Sequence, residues 1–135
     1  MATEYRRFPK TEYENRWEAA AKAMAERDLD ALLVTEAANF TYFCGGHGDF
    51  SFSRPTFMLI PAKGEPVVMV HEFFEASQRR ESWVRDIRTY ASMQEAPVAL
   101  IKSVFADKTP GRARIGAELG REQRLGLPYD RLRAL

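Results

Sequence analysis

Cysteine is almost missing from this sequence. Cys44 stands alone in 135 residues, so no disulfide can form within the chain. No apolar stretch follows Arg6-Arg7 that could serve as a signal peptide, and a reducing cytoplasm is the expected setting. Histidine is scarce as well: only His47 and His71 are available for metal or acid/base chemistry. An excess of one charge is also lacking. Twenty Lys and Arg against 19 Asp and Glu give a formal net charge of +1, so no strong field draws the chain to nucleic acid or an anionic membrane. The longest strong apolar run, Thr56 to Ile60 between Pro55 and Pro61, falls far short of the roughly 18 residues that cross a bilayer. Neither nucleic acid nor membrane is expected as a partner. Internal repeats are absent too.

What is there is ordinary globular material, 45% apolar and 29% charged. A chain of this length is expected to form one core and to bury about two-thirds of its unfolded surface. Tyr13, Trp17, Ala20, Ala21 and Met24 recur at helical spacing, and Thr11 followed by Glu14 has the form of a capping box. A helix is therefore expected from about Glu12 to Arg27. Asp28 to Asp30 breaks the pattern. Ala31-Leu32-Leu33-Val34 is an unbroken apolar run, as in a strand covered on both faces, and is read as the central strand. Ala37 to Phe43 offers one or two helical turns before Gly45-Gly46-His47-Gly48-Asp49, read as a loop free to reach another subunit or domain.

Pro55 to Ile60 and Pro66 to Val70 predict a hairpin, with Gly64 supplying the positive φ of its turn. Glu72 to Ser82 is a helix candidate with Phe73, Phe74, Ser77 and Trp83 as inward residues, and Asp86 to Tyr90 alternates as a short strand. Leu100, Ile101, Val104 and Phe105 form one face of a helix that opens at Pro97 and stops near Asp107. Arg114-Ile115-Gly116 is a short strand, and Tyr129, Leu132 and Leu135 lie three apart after Pro128. The helical pattern is still running at Leu135, which reads as a boundary within a longer protein. The order of elements predicts an α/β domain with a mixed β-sheet flanked by helices, over 11–135, preceded by an N-terminal extension over 1–10.

Several residues invite chemistry. Gly45-Gly46-His47-Gly48 lacks the following Lys and Ser/Thr of a phosphate loop. His71-Glu72-Phe73-Phe74-Glu75 resembles a zinc-protease helix, but Glu75 stands where a second histidine is required. A strand-to-helix junction with acidic residues placed by the helix dipole explains it more simply. His47 and Asp49 are near in sequence, yet a glycine-rich loop fixes no geometry for an acid/base pair. Cys44 has no Cys-x-x-Cys partner and reads as a small buried residue. In Phe52-Ser53-Arg54-Pro55, proline holds an arginine at the mouth of a strand and the phenylalanine lowers the local dielectric, a setting for binding a carboxylate. The alternative for Arg54 is an ordinary surface ion pair.

Arg16 and Trp17, then Leu29 to Val34, then Asn39-Phe40-Thr41-Tyr42-Phe43-Cys44-Gly45, then Leu59-Ile60-Pro61 and Val67 to Val70 stand in a telling order. That order resembles the amino-terminal domain of the creatinase/prolidase/aminopeptidase P family, whose Asn-x-x-Tyr-x-x-Gly spacing is met by Asn39, Tyr42 and Gly45. The resemblance runs from about Glu12 to Leu135. It implies a ribonuclease H-like fold and a following pita-bread catalytic domain. In peptidase members that domain binds a pair of divalent metal ions (Mn, Co or Zn) through two aspartates, one histidine and two glutamates. None of those positions lies in this segment, which is expected to hold no cofactor.

The resemblance also implies site residues. In creatinase-like members, which work without metal, a Phe-x-Arg from this domain of the partner subunit holds the substrate carboxylate. Phe52 and Arg54 fall at the matching place, and His47 on the same loop is a further candidate. The expected role is that of a non-catalytic domain of an Xaa-Pro peptidase or creatinase-like hydrolase, contributing to dimerisation, active-site access and carboxylate binding. Its expected partners are its own C-terminal catalytic domain, a second copy in a homodimer, and a short peptide or small carboxylate substrate. A reading from another class is an autonomous small-molecule-binding or signalling domain with its crevice at the carboxyl ends of the strands. A nuclease reading finds only scattered acidic residues such as Asp30 and Asp86.

Overall fold

Proline fixes the start of the first helix. Pro9, at φ −65, is the last residue before α1 (Lys10–Glu26), and its carbonyl accepts the Glu12 N–H at 3.0 Å. The structure is a computed structural model, and it describes residues 6–48 and 54–135. The expected capping box is not formed: Thr11 lies inside the first turn and no side chain caps the helix. A proline directly ahead of a helix already sets the entry dihedral, so the helix begins there and leaves the Thr11 hydroxyl without a cap position. The apolar face is the expected one, with Tyr13, Ala20 and Met24 buried and Trp17 and Ala21 packed against the core.

Among the described residues five strands form one sheet: β1 (Ala31–Val34), β2 (Phe57–Pro61), β3 (Val67–His71), β4 (Asp86–Tyr90) and β5 (Ile115–Gly116). Their order is β4-β3-β2-β1-β5. β2 runs antiparallel to both neighbours, while β3 with β4 and β1 with β5 are parallel. The mixed α/β architecture expected from the sequence is thus found. The central strand is β2, however, not β1. Helices cover both faces of β1, β2 and β3 alike, so an unbroken apolar run does not single out the middle strand.

The helices are α2 (Ala37–Cys44), α3 (Glu75–Glu81), α4 (Val98–Lys108) and α5 (Tyr129–Ala134), with a short 3-10 turn at Glu72–Phe74. Side chains alternate across the sheet as strand geometry requires. Val34, Met58, Ile60, Val68 and Val70 meet Ala20, Met24 and Phe40 of α1 and α2 on one face. Ala31, Leu33, Phe57, Leu59, Val67 and Met69 meet Ile101 and Val104 of α4 on the other. Ile101 and Val104 are fully buried, each contributing roughly 1.5–3 kcal/mol. The hairpin of β2 and β3 has the expected turn, with Gly64 at φ +106.

The segment after β3 departs from expectation. A single helix over Glu72 to Ser82 is replaced by the 3-10 turn and the shorter α3, which rotates Phe73 outward to 65% exposure and buries Gln78 completely. Phe74 alone of the two phenylalanines packs on the core. At the open edge, β4 carries charge: Arg88 forks onto Asp86 at 2.9 and 3.0 Å and reaches Asp107 at 2.5 Å. Hydrogen bonding from Arg88 holds the Asp86 carboxyl below the usual carboxylate range. Charges of this kind discourage edge-to-edge pairing.

Candidate functional site

Strand direction gathers the candidate residues at one rim. The registers Val34 with Met58, Phe57 with Met69, and His71 with Tyr90 place the carboxyl ends of β1, β3 and β4 beside the amino end of β2. The parallel β5 brings Glu118 to the same rim. Crevices at the carboxyl ends of strands are where open α/β sheets bind ligands.

Arg54 enters β2 through Pro55 and Thr56, and the Tyr90 hydroxyl donates to the Pro55 carbonyl at 2.6 Å. The end of β4 therefore fixes the backbone next to the arginine. Phe52 lies outside the described residues. Tyr90 also meets the His71 ring edge-on at 5.3 Å, and His71 lies 4.5 Å from the outward-turned Phe73 ring.

His71 occupies the strand-to-helix junction expected for it. Its Nδ1 accepts the Phe73 N–H at 3.2 Å, which leaves Nε2 to carry the proton toward the Ala91 carbonyl at 3.1 Å. Both ring nitrogens thus serve the fold. Among the described residues no group of three or more His, Cys, Asp or Glu could hold a metal ion. The described residues do not fit a metal pair.

His47 is also engaged. The Glu81 carboxylate accepts from its backbone N–H at 3.1 Å and from Nδ1 at 2.8 Å, and Arg7 approaches Nε2 at 3.2 Å. Arginine can only donate, so in this arrangement Nε2 is the acceptor and Nδ1 the donor. Gln78 donates to the His47 carbonyl at 2.7 Å. The described part of the glycine-rich loop is therefore tied to α3 instead of reaching outward. A Cβ on Gly46 would stand 2.0 Å from Gln78 Oε1, so a larger residue here requires the buried Gln78 side chain to shift. Gly48 lies against Thr56 and Ala37, which places His47 and Arg54 on either side of the same undescribed stretch, 49–53.

Cys44 lies beneath this loop at 0% exposure, its Sγ accepting the Gly46 N–H at 3.3 Å. Burial pushes its thiol from 9.0 to about 12, so it stays protonated and is no nucleophile.

Other rim contacts were not expected from the sequence. Glu36 caps α2 by accepting the Ala38 and Asn39 N–H groups at 2.8 and 3.1 Å. The Glu118 carboxylate accepts from Thr35 N–H at 3.0 Å, Thr35 Oγ1 at 2.7 Å, Glu36 N–H at 3.1 Å and Asn39 Nδ2 at 3.3 Å. Its one sequence signal is an acidic residue just past a predicted short strand. At the far end of α2, Arg16 donates to the Tyr42 carbonyl at 2.6 Å and Trp17 to the Phe43 carbonyl at 2.7 Å. These bonds satisfy carbonyls that a helix end leaves open. The family-like residues Arg16, Trp17 and Asn39 are thus parts of the frame around α2.

Residues 16–135 match the family model of the Creatinase/Prolidase N-terminal domain. The chain belongs to that family. Solved structures agree on the fold. The N-terminal domain of an Xaa-Pro dipeptidase from Lactobacillus brevis has a TM-score of 0.73 at 16% identity, with 89% of this chain and 84% of that chain covered. The corresponding domain of an X-Pro dipeptidase from Streptococcus pyogenes gives 0.68 at 18% identity, covering 90% and 85%. Dipeptidase PepE from Mycobacterium ulcerans gives 0.61 at 23% identity, and there the match takes in 96% of this chain but 38% of that one. No curated protein matches by sequence. Among the described residues no helix is long and apolar enough to cross a membrane.

At the rim of this creatinase/prolidase N-terminal domain, Arg54 adjoins a backbone anchored by Tyr90, the Cys44 thiol is buried, and both imidazoles have partners within the fold.

Proposed function

We propose that this domain works as the accessory amino-terminal part of an Xaa-Pro peptidase or creatinase-like hydrolase, shaping access to a catalytic domain and, across a homodimer, holding the carboxylate of a short peptide or small substrate through Arg54. The observation that carries the reading is the Tyr90 to Pro55 hydrogen bond, which fixes the approach of Arg54 at the rim of a domain of this family. A guanidinium forks onto a carboxylate with two parallel donors, and anchoring its backbone lowers the entropy lost on binding. Phe52 would shield that pair from water. His47, committed to Glu81, would act by holding the loop. A divalent metal pair, where the parent protein is a peptidase, would belong to the catalytic domain and would supply the hydrolytic water. A cytoplasmic setting accords with the single buried cysteine.

The test is Arg54→Gln in the full-length protein, assayed on a substrate with a free carboxylate and on its amide. A KM raised about tenfold or more for the carboxylate alone, with kcat little changed, supports the role. Equal kinetics on both substrates would remove it.

One observation favours the autonomous-binding reading: an apolar cleft of about 540 Å³ between α4, β5 and α5, lined by Leu33, Phe105, Ile115, Leu132 and Leu135 among others. Small-molecule sites have this size and character. Tight binding of an apolar ligand by the chain alone would favour that reading.

A further inference from the structure

A second cleft lies away from the rim, where α3 ends and β4 begins. Its volume is about 320 Å³, and Arg6, Arg79, Ser82, Trp83, Arg85 and Ile87 line it. Three of these are arginines and none is acidic, in a chain whose formal net charge is only +1. Glu75 pairs with Arg79 and offsets one of the three charges.

The walls are also built. The Arg6 guanidinium lies 3.9 Å from the centre of the Trp83 ring, and its Nε is buried. The indole N–H donates to the Phe8 carbonyl at 3.0 Å, which straps the amino-terminal segment along the cleft. Arg79 is oriented by Glu75, which accepts from Nε at 3.1 Å and from Nη2 at 2.7 Å, so the Nη1 side of the guanidinium is turned away from that carboxylate. Ser82 Oγ accepts the Val84 N–H at 3.0 Å and fixes the turn that carries Trp83. Two of the three cations are thus positioned by contacts made before any ligand arrives, which reduces the ordering cost of binding.

We infer that this cleft is an anion site for a phosphate group. Guanidinium groups carried by α3, the turn before β4 and the amino-terminal segment match the several oxygen faces of a tetrahedral oxyanion, and arginine forks favour phosphate. The indole face is covered by Arg6, so recognition rests on charge and hydrogen bonding. The phosphate is either free or carried on a phosphorylated side chain.

The test is a titration of the chain with inorganic phosphate at fixed ionic strength, following the Trp83 indole N–H by NMR, with chloride as the control and a phosphoserine peptide as a second probe. Saturable shifts with phosphate and none with chloride are expected. Arg85→Gln should weaken phosphate at least about tenfold, and Arg85→Lys by less, because lysine keeps the charge and loses the fork. Tighter binding of the peptide assigns the site to a phosphorylated chain, and equal or weaker binding to the free anion. Shifts that are linear and equal for phosphate and chloride overturn the proposal. An Arg85→Gln variant with unchanged melting temperature and unchanged phosphate affinity overturns it as well.

Discussion

Tyr90 donates its phenolic hydrogen to the Pro55 carbonyl at 2.6 Å, a bond between residues 35 apart in sequence. It joins the last residue of β4 to the approach of β2. Arg54 therefore inherits its position from a strand two places away in the sheet.

Tyr90→Phe removes only that hydroxyl. Loss of one such hydrogen bond costs roughly 1 kcal/mol, measured by urea unfolding of the chain. In the full-length protein the same change should raise KM for a carboxylate substrate without reaching the effect of Arg54→Gln. A KM equal to that of the unsubstituted protein would detach Tyr90 from the site.

Glu118→Ala should be among the most damaging single changes. It withdraws the acceptor from two backbone N–H groups, a hydroxyl and an amide. Hydrogen bonds to a charged group are worth about 1.5–3 kcal/mol each when lost singly, and the total is below their sum because water can enter this half-buried place. A loss of about 3 kcal/mol is expected by chemical denaturation. A loss under about 0.5 kcal/mol would mean that solvent replaces the carboxylate at little cost.

Gly46→Ala should cost about 2 kcal/mol by overpacking against Gln78. The pairing can be isolated, because Gln78→Ser opens the space that the new methyl group needs. In a double-mutant cycle, the combined variant should be more stable than the two single losses predict, with a coupling of about 1 kcal/mol. Simple additivity would show that the loop relaxes away from α3.

Cys44 provides a pH test. Its thiol in the folded chain is raised from 9.0 to about 12 because burial disfavours the thiolate. Unfolding releases a thiol that ionises more readily, so this contribution to stability is whole below pH 9.0 and is lost progressively toward about pH 12. Cys44→Ser should flatten that alkaline fall. Thiol reagents at pH 8 should react with the native chain only as fast as it opens.

Local pattern carried much of this architecture. The buried face of α1, the extent of β1, the hairpin turn at Gly64 and the Ile101 and Val104 face of α4 follow from periodicity and turn chemistry that neighbouring residues set for themselves. Thr11 and Phe73 misled for a related reason: each matched a local template that a neighbour overrode, Pro9 by starting the helix early and the 3-10 turn by rotating the chain. At the candidate site, Arg54 stands out in the sequence as an arginine before a strand proline. Its anchor Tyr90 and the roles of Glu118, Gln78 and Glu81 do not, because each acts on a residue more than thirty positions away. Periodicity carries no information about such pairs.

The Glu118 carboxylate bears on the order in which this chain can be completed. Thr35 and Glu36 leave the ribosome with their N–H groups facing water, and their acceptor is made 83 and 82 residues later. Until then the carboxyl end of β1 and the first turn of α2 lack their closing contact, and the sheet lacks β5. A nascent chain halted before Glu118 therefore presents an open β1 edge, and the rim beside Arg54 reaches its final form only once Glu118 has been made.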